Sequence, residues 1–304
     1  SVADRFQGNV FAEYEIINNL TFKTTFGLSS NNDRRGEFVP TVLQGGAGVG
    51  GDARINSGKN SILLNENFLT YSRTIDKHSF SILGGYSYQH SRDEDWGGRG
   101  QGFPTNASLF WDLDGSAVWQ RPNSRLTEWE LSSYFTRLNY SFNNKYMFTF
   151  TARYDDSSVF SEGNKWAFFP AISTGWIISE EDFFTSSGIS FLKLRAGYGE
   201  VGNTSIDPFQ TLGGLERTTY AFGNDQAFGY GHNLIANPDL SWEISRTTNI
   251  GLDLGFLEDR ITGSLEYYIT NTDDLLLERL IPITSGFSSI LQNIGATRNS
   301  GWEL

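Results

Sequence analysis

Apolar and polar residues alternate over long stretches of this chain. Phe6, Gly8, Val10, Ala12, Tyr14 and Ile16 share one set of alternate positions, and Gln7, Asn9, Glu13 and Glu15 the other, with Phe11 out of pattern. A period of two sends successive side chains to opposite faces of a strand. After Asn18-Asn19, Leu20, Phe22, Phe26 and Leu28 oppose Thr21, Lys23 and Thr25. The pattern recurs where Phe80, Ile82, Tyr86 and Tyr88 oppose Ser79, Ser81, Ser87 and Gln89, and where Tyr134, Leu138, Tyr140 and Phe142 oppose Arg137, Asn139 and Ser141. Tyr146, Phe148, Phe150 and Tyr154 oppose Thr149, Thr151, Arg153 and Asp155. Further along, Leu192, Leu194, Ala196 and Tyr198 oppose Lys193 and Arg195, and Ile250, Leu252, Leu254 and Phe256 oppose Asn249 and Asp253. Ile261, Leu265, Tyr267 and Ile269 oppose Thr262, Ser264 and Glu266.

Soluble sandwiches also alternate, so other features have to separate the two architectures. The alternating runs are about ten residues long, against the usual five or six of globular sheets, and a tilted membrane strand needs roughly 9–11. The polar sets carry full charges in mid-strand, which a water-filled lumen tolerates. Glu13, Arg137, Arg153, Lys193, Arg195 and Asp253 are therefore expected to face a lumen. Short connections at Asn18-Asn19, Asp76-Lys77-His78, Asn143-Asn144-Lys145 and Leu257-Glu258-Asp259 alternate with polar segments at 29–60, 91–128 and 200–240, expected to be long loops. Outer-membrane barrels have this asymmetry, with short periplasmic turns and long extracellular loops. The connection 179–190 is expected on the short-turn side, its Ser179-Glu180-Glu181-Asp182 start capping a short helix. Tyr14, Tyr71, Tyr88, Tyr140, Tyr146, Tyr154, Trp176, Tyr198 and Tyr267 sit near strand ends, where interfacial aromatics belong.

The predicted fold is an all-β transmembrane antiparallel barrel wall of about 11 strands, each spanning once. The last strand is expected to begin near Asn293 and to contain Leu304. An open edge is not tolerated in lipid, so residues 1–304 are expected to be a partial barrel domain that continues at both ends.

Composition narrows the function. A net charge of −12 argues against a nucleic-acid partner, whose phosphates need clustered Lys and Arg. Cysteine is absent, which removes disulfide and thiolate chemistry. No apolar run approaches the roughly 18 residues of a membrane helix. His78, His90 and His232 lack metal-ligand spacing, and no cofactor or metal is expected. Asp155-Asp156, Glu180-Glu181 and Asp273-Asp274 read as solvated charge, because neighbours on a strand point apart. No enzymatic activity is expected. The run Gly97-Gly98-Arg99-Gly100-Gln101-Gly102 follows no βα pattern and reads as flexible loop. The segment from Trp96 to Trp129 gathers large rings among charges, a composition suited to stacking on sugars and bonding hydroxyls. Trp96, Arg99, Trp111, Asp112, Asp114 and Trp119 are its candidate substrate residues, with packing of the loop on itself as the alternative.

Four blocks from Tyr134 onward carry a family resemblance. Tyr134-Phe135-Thr136-Arg137-Leu138-Asn139-Tyr140 continues through Arg153-Tyr154-Asp155-Asp156-Ser157-Ser158 to Lys165-Trp166. Phe169-Pro170-Ala171-Ile172-Ser173, Gly175-Trp176 and Ile178-Ser179-Glu180-Glu181 follow, then Leu192-Lys193-Leu194-Arg195-Ala196-Gly197-Tyr198-Gly199 with Gly202-Asn203. The fourth comprises Asn237-Pro238-Asp239-Leu240-Ser241-Trp242-Glu243, Asn249-Ile250-Gly251-Leu252-Asp253, Glu266-Tyr267-Tyr268, Asp273-Asp274-Leu275-Leu276 and Asn293-Ile294-Gly295. In order and content these resemble the SusC/RagA family of TonB-dependent outer-membrane transporters. Residues 1–133 match only in style. The resemblance implies a roughly 22-stranded barrel with a plugged lumen. It also implies a TonB-binding segment and a SusD-like surface lipoprotein that lids the barrel, with import of oligosaccharide or peptide. Neither plug nor TonB box is found in these residues. A passive porin-like channel has the same strand pattern, and a secreted β-sandwich that binds or acts on glycans is the alternative from another class.

Overall fold

A computed structural model describes residues 1–185, 188–223 and 225–304. The first strands are β1 (Val2–Ile17), β2 (Leu20–Val39), β3 (Asp52–Ile75) and β4 (His78–Gln101). After a two-residue β5 (Val118–Trp119) come β6 (Asn123–Phe142), β7 (Tyr146–Ser157), β8 (Trp166–Ile177) and β9 (Ile189–Asn203). A hairpin of β10 (Gly214–Phe222) and β11 (Asp225–Leu234) precedes β12 (Glu243–Phe256) and β13 (Ile261–Asp273). A second hairpin, β14 (Leu276–Leu280) and β15 (Ser289–Asn293), precedes β16 (Ala296–Glu303). The main sheet is hydrogen-bonded in the order β1-β2-β3-β4-β6-β7-β8-β9-β12-β13-β16, with β5 on β4, and each hairpin is a separate sheet. Among the described residues no helix is long and apolar enough to cross a membrane, which leaves crossing by strands open.

Two compact units divide the chain. The first comprises Ser1–Phe11, Thr25–Asn65 and Tyr88–Glu130, and the second Ala12–Thr24, Glu66–Ser87 and Leu131–Leu304.

The tight turns form where asparagine and aspartate tolerate a left-handed backbone. Asn19 has φ 71°, Asp76 51°, and Asn143 and Asn144 51° and 56°. Leu257, Glu258 and Asp259 are all left-handed, at 54°, 57° and 59°, in the turn between β12 and β13.

Several expected loops are strand instead. β2 runs to Val39 and β3 starts at Asp52, while β4 runs to Gln101 and β6 starts at Asn123. Polar pairs hold these extensions. Asn60 Nδ2 donates to Asp93 Oδ2 at 3.2 Å, Arg92 Nη1 to Glu128 Oε1 at 3.0 Å, and His90 Nδ1 lies 3.1 Å from Glu130 Oε1. Both faces are polar there, so no alternation marks the strand. The glycine run 97–100 lies inside β4 and is not a flexible loop. The last strand begins at Ala296, not near Asn293, which closes the separate strand β15. In the β8–β9 connection a 3-10 turn spans Ile178–Glu180 with no side-chain cap, so Ser179 does not cap a helix. Part of that connection, Ser186 and Ser187, lies outside the described residues.

The apolar residues are distributed inside out. Among the described residues only Ala53, Phe103, Val159, Phe160, Phe169, Leu240 and Trp242 form a buried apolar set. Phe26, Ile82, Ile172, Leu194 and Ile250 are exposed, Ile250 at 56%. A water-soluble domain would not leave so many large apolar side chains uncovered, whereas a sheet facing lipid would.

Candidate functional site

In the second unit the strand register gathers the charged candidates on one face. Arg137 lies opposite Thr151, two residues from Arg153 on β7. Arg195 lies opposite Gly175 on β8 and Gly251 on β12, and Lys193 opposite Asp253. The other face of the same strands carries Leu138 opposite Phe150 opposite Ile172, and Leu194 opposite Leu252 opposite Leu265.

The polar face is cross-linked. Arg195 Nε donates to Asp253 Oδ1 and Oδ2 at 3.0 and 3.1 Å, and its Nη2 lies 2.9 Å from Glu266 Oε2. Asn249 Nδ2 donates to Glu266 Oε1 at 2.7 Å, closing a network over three strands. The guanidinium lies across Gly251, where an added Cβ would sit 2.9 Å from Arg195 Cζ, so a larger residue there would make the end of the arginine side chain shift. Arg153 Nε donates to both Asp155 oxygens at 2.7 and 2.8 Å, and Nη2 to Ser133 Oγ at 2.8 Å. Arg137 Nε reaches Thr151 Oγ1 at 3.3 Å, and Glu13 Oε2 lies 3.9 Å from Lys23 Nζ. Between the charges run hydroxyls and amides. Thr149 donates to Asn139 at 3.0 Å, and Thr247 and Thr270 are 2.9 Å apart. Met147, Thr149, Ser173, Lys193, Arg195 and Asn249 line a recess of about 300 Å³ on this face.

Aromatic rings cluster at both ends of the apolar face. Tyr154 stacks on Trp166 at 4.6 Å, and Tyr86 lies 5.1 Å from Tyr134. Towards the short turns, Phe142 stacks on Tyr146 and Tyr146 on Trp176, each at 6.3 Å. Arg246, between Glu200 at 3.6 Å and Asp273 at 2.5 Å, was not singled out from the sequence, because its partners lie on two other strands.

In the first unit the loop after β4 folds back onto the sheet. Glycines make room for it. An added Cβ at Gly36 would collide with the Phe110 ring and one at Gly100 with Ser116, and one at Gly98 would come within 3.3 Å of Leu113. Phe110 and Trp111 rings are 4.7 Å apart, and Arg34 Cζ lies 4.9 Å from the Trp111 centroid. Trp119 Nε1 donates to Ser116 O at 3.1 Å, and Asp112 Oδ1 accepts from Gly115 N at 3.2 Å in a side-chain-closed turn. Trp96, Trp111 and Trp119 remain exposed, as do Asp112 and Asp114.

Arg99 does not join that cluster. It lies between Gly98 and Gly100 on a strand, so its side chain leaves from the opposite face. There its Nε donates to Asp52 Oδ1 at 2.9 Å, its Nη2 also bonds Asp52 Oδ2, and its Nη1 reaches Gln120 Oε1 at 3.3 Å. Gln101 Nε2 adds a bond to Asp52 at 2.7 Å. The Arg99 hydrogen bond outweighs burial and holds the Asp52 carboxyl below its ordinary value. A lowered folded-state pKa adds stability above the ordinary carboxylate range, near 4, and that stability is lost as pH falls through the depressed value. Proteolysis of segment 102–122 in the intact protein is therefore expected to accelerate as pH falls below the ordinary carboxylate range and through the depressed value. Asp52→Asn should be cleaved readily already at neutral pH and show a flatter pH dependence. Superimposable curves for the two proteins would remove Asp52 from this role.

Much of the fourth sequence block is a clasp. Leu240 is fully buried, and Trp242 lies 5.5 Å from Phe160 and 5.3 Å from Phe169, its Nε1 donating to Lys165 O at 2.9 Å. Asn293 Oδ1 accepts from Ser241 N at 2.9 Å while its Nδ2 donates to Ser241 O at 2.8 Å, and Asn237 Nδ2 donates to Leu291 O at 2.7 Å. These residues tie the approach to β12 onto the β14–β15 hairpin.

An antiparallel sheet with an apolar face bounded by aromatic clusters and a charged, hydrogen-bonded face defines a transmembrane β-barrel wall. Residues 3–304 match the family described as TonB dependent receptor-like, beta-barrel, and the chain belongs to that family. It is 43% identical to TonB-dependent receptor P3 of Formosa agariphila over 99% of this chain and 30% of that protein. Identity with TonB-dependent receptor SusC of Bacteroides thetaiotaomicron is 34%, over 98% of this chain and 30% of that one. The structure of the RagAB peptide transporter superimposes with a TM-score of 0.88 at 28% identity, covering 99% of this chain and 34% of its own. The SusC/RagA resemblance is thereby borne out, and the chain is an outer-membrane β-barrel segment. It spans about a third of the length of the relatives it matches. Ferric citrate transporter FecA, at 11% identity and a TM-score of 0.57, shares the fold alone.

Proposed function

We propose that this chain supplies part of the barrel wall of an outer-membrane importer driven by TonB. Its polar face would line the lumen and its apolar face meet lipid. One observation carries the reading: Arg137, Arg153, Lys193, Arg195 and Asp253 share a face with Thr149 and Asn249, while Leu138, Ile172, Leu194 and Leu252 share the other. Charges placed in this way need water beside them, and the leucines need lipid. The TonB complex would act through parts of the protein outside this chain, and a SusD-like surface lipoprotein would form the lid. The cargo is an oligosaccharide or a peptide. Uptake of the cognate nutrient should vanish when TonB is deleted. Undiminished uptake without TonB would indicate a passive pore.

The folded-back loop is assigned to contact with cargo or lid. Trp111 and Trp119 are 62% and 67% exposed, on a loop already fixed by Phe110, Ser116 and Asp112. Large rings held rigidly in water are suited to stacking on a sugar ring or covering a peptide. Changing Trp111 and Trp119 together to Ala should reduce uptake several-fold at equal surface level. Unchanged uptake and unchanged lid association in the double variant would assign these rings to loop packing.

A further inference from the structure

We propose that the start of the β8–β9 connection is a shallow lipid anchor, with Phe183 inserted at the boundary between headgroups and acyl chains of the periplasmic leaflet. The proposal rests on the reading that the apolar face meets lipid. Phe183 is 68% exposed, directly after the polar run Ser179-Glu180-Glu181-Asp182, while the next ring, Phe184, is half-buried. Its ring meets Trp176 edge to face, with centroids 6.4 Å apart and planes at 65°. Trp176 stacks on Tyr146, and Tyr146 on Phe142. Phe183 thus extends by one ring an aromatic row that already lies on the apolar face, and the occupant is the one that row meets, the phospholipid interface.

The backbone is fixed so that the ring points there. Ile177 N donates to Lys145 O at 2.9 Å, Glu181 N to Ile178 O at 3.1 Å, and Phe184 N to Glu181 O at 2.9 Å. Glu181 pins this fold to the wall. Its Oε1 accepts from Tyr146 Oη at 2.5 Å and from Trp176 Nε1 at 3.0 Å, and its Oε2 lies 3.5 Å from Lys145 Nζ. A carboxylate beside lipid is costly when bare. Here two donors and a cation satisfy it, so the aromatic row continues past it. Glu180 and Asp182 are exposed on the same short segment and limit the insertion to a single ring.

Nitroxide accessibility in the full-length transporter tests this. Single cysteines at Phe183, Ile172 and Glu162, in a background without other cysteines, would be labelled and reconstituted in phosphatidylethanolamine–phosphatidylcholine vesicles. Ile172 lies mid-way along the apolar face, and the Glu162 side chain is 90% exposed in the β7–β8 connection. The label at Phe183→Cys should be relaxed more by oxygen than by a water-soluble nickel chelate, at a depth between the other two. Nickel accessibility equal to that at Glu162→Cys, with Ile172→Cys still in lipid, would overturn the anchor alone. Nickel accessibility at Ile172→Cys as well would overturn the lipid-face reading together with it.

Discussion

Leu252→Arg is expected to block barrel assembly. Leu252 sits on the apolar face between Leu194 and Leu265. A charge at a lipid-facing position near the bilayer midplane costs about 2–4 kcal/mol, a sizeable share of the stability of an ordinary domain. The comparison one residue along is informative because the strand turns it to the other face. Asp253→Asn keeps a hydrogen-bonding group beside Arg195, which retains Glu266 at 2.9 Å, so little change is expected. Asp253→Arg is harsher, since it sets a cation beside Arg195 and Lys193, but water screens that repulsion to roughly 1 kcal/mol. Surface level of the full-length protein, with heat-modifiable mobility as the sign of folding, should fall in the order wild type, Asp253→Asn, Asp253→Arg, Leu252→Arg. Equal levels for Leu252→Arg and Asp253→Arg would show that the register or the face is wrong.

Removal of Arg153 has the second large effect. The Asp155 side chain is only 8% exposed, and Arg153 donates to both of its oxygens. Arg153→Met leaves that carboxylate largely out of water and facing a thioether. Loss of one partner from a buried pair costs about 3–5 kcal/mol. Arg153 is itself 43% exposed, which places the expected loss at roughly 2–4 kcal/mol. Adding Asp155→Asn to Arg153→Met should recover a good part of it, because the stranded charge is then gone. Denaturant midpoints of wild type, Arg153→Met, Asp155→Asn and the double variant in vesicles would give the coupling directly. A double variant no more stable than Arg153→Met alone would show that the pair does not act as a unit.

What was legible in the sequence follows from where the two faces of a strand differ in polarity. Ile250, Leu252 and Leu254 against Asn249 and Asp253 could be read because the two faces of β12 carry side chains of opposite polarity. The turns were legible for a local reason, since Asn143 and Asn144 tolerate the left-handed backbone they adopt. The strand extensions were not legible. Around Asn60, Asp93 and Glu128 both faces are polar, so the period-two signal disappears although the ladder continues. The glycine run misled for a related reason. Gly98 and Gly100 are two apart, on one face, and that spacing marks a close approach on a strand as readily as it marks a loop.

The candidate site divides in the same way. The residue types in the Trp96–Trp129 segment were visible, but their grouping was not. Arg99 is committed to Asp52 on the face away from the folded loop, and Trp111 lies beneath Arg34, nearly eighty positions earlier in the chain. Glu181 gave no signal at all within Ser179-Glu180-Glu181-Asp182, because only the return of the chain to Tyr146 and Trp176 distinguishes it from its neighbours.

Single-cysteine accessibility along β12, from Asn249 to Leu254, reports which face of the wall meets water. In the full-length protein in outer membranes, a charged thiol reagent should label positions 249, 251 and 253 and spare 250, 252 and 254. Uniform labelling, or protection in the opposite phase, would contradict a wall with lipid on one face and water on the other.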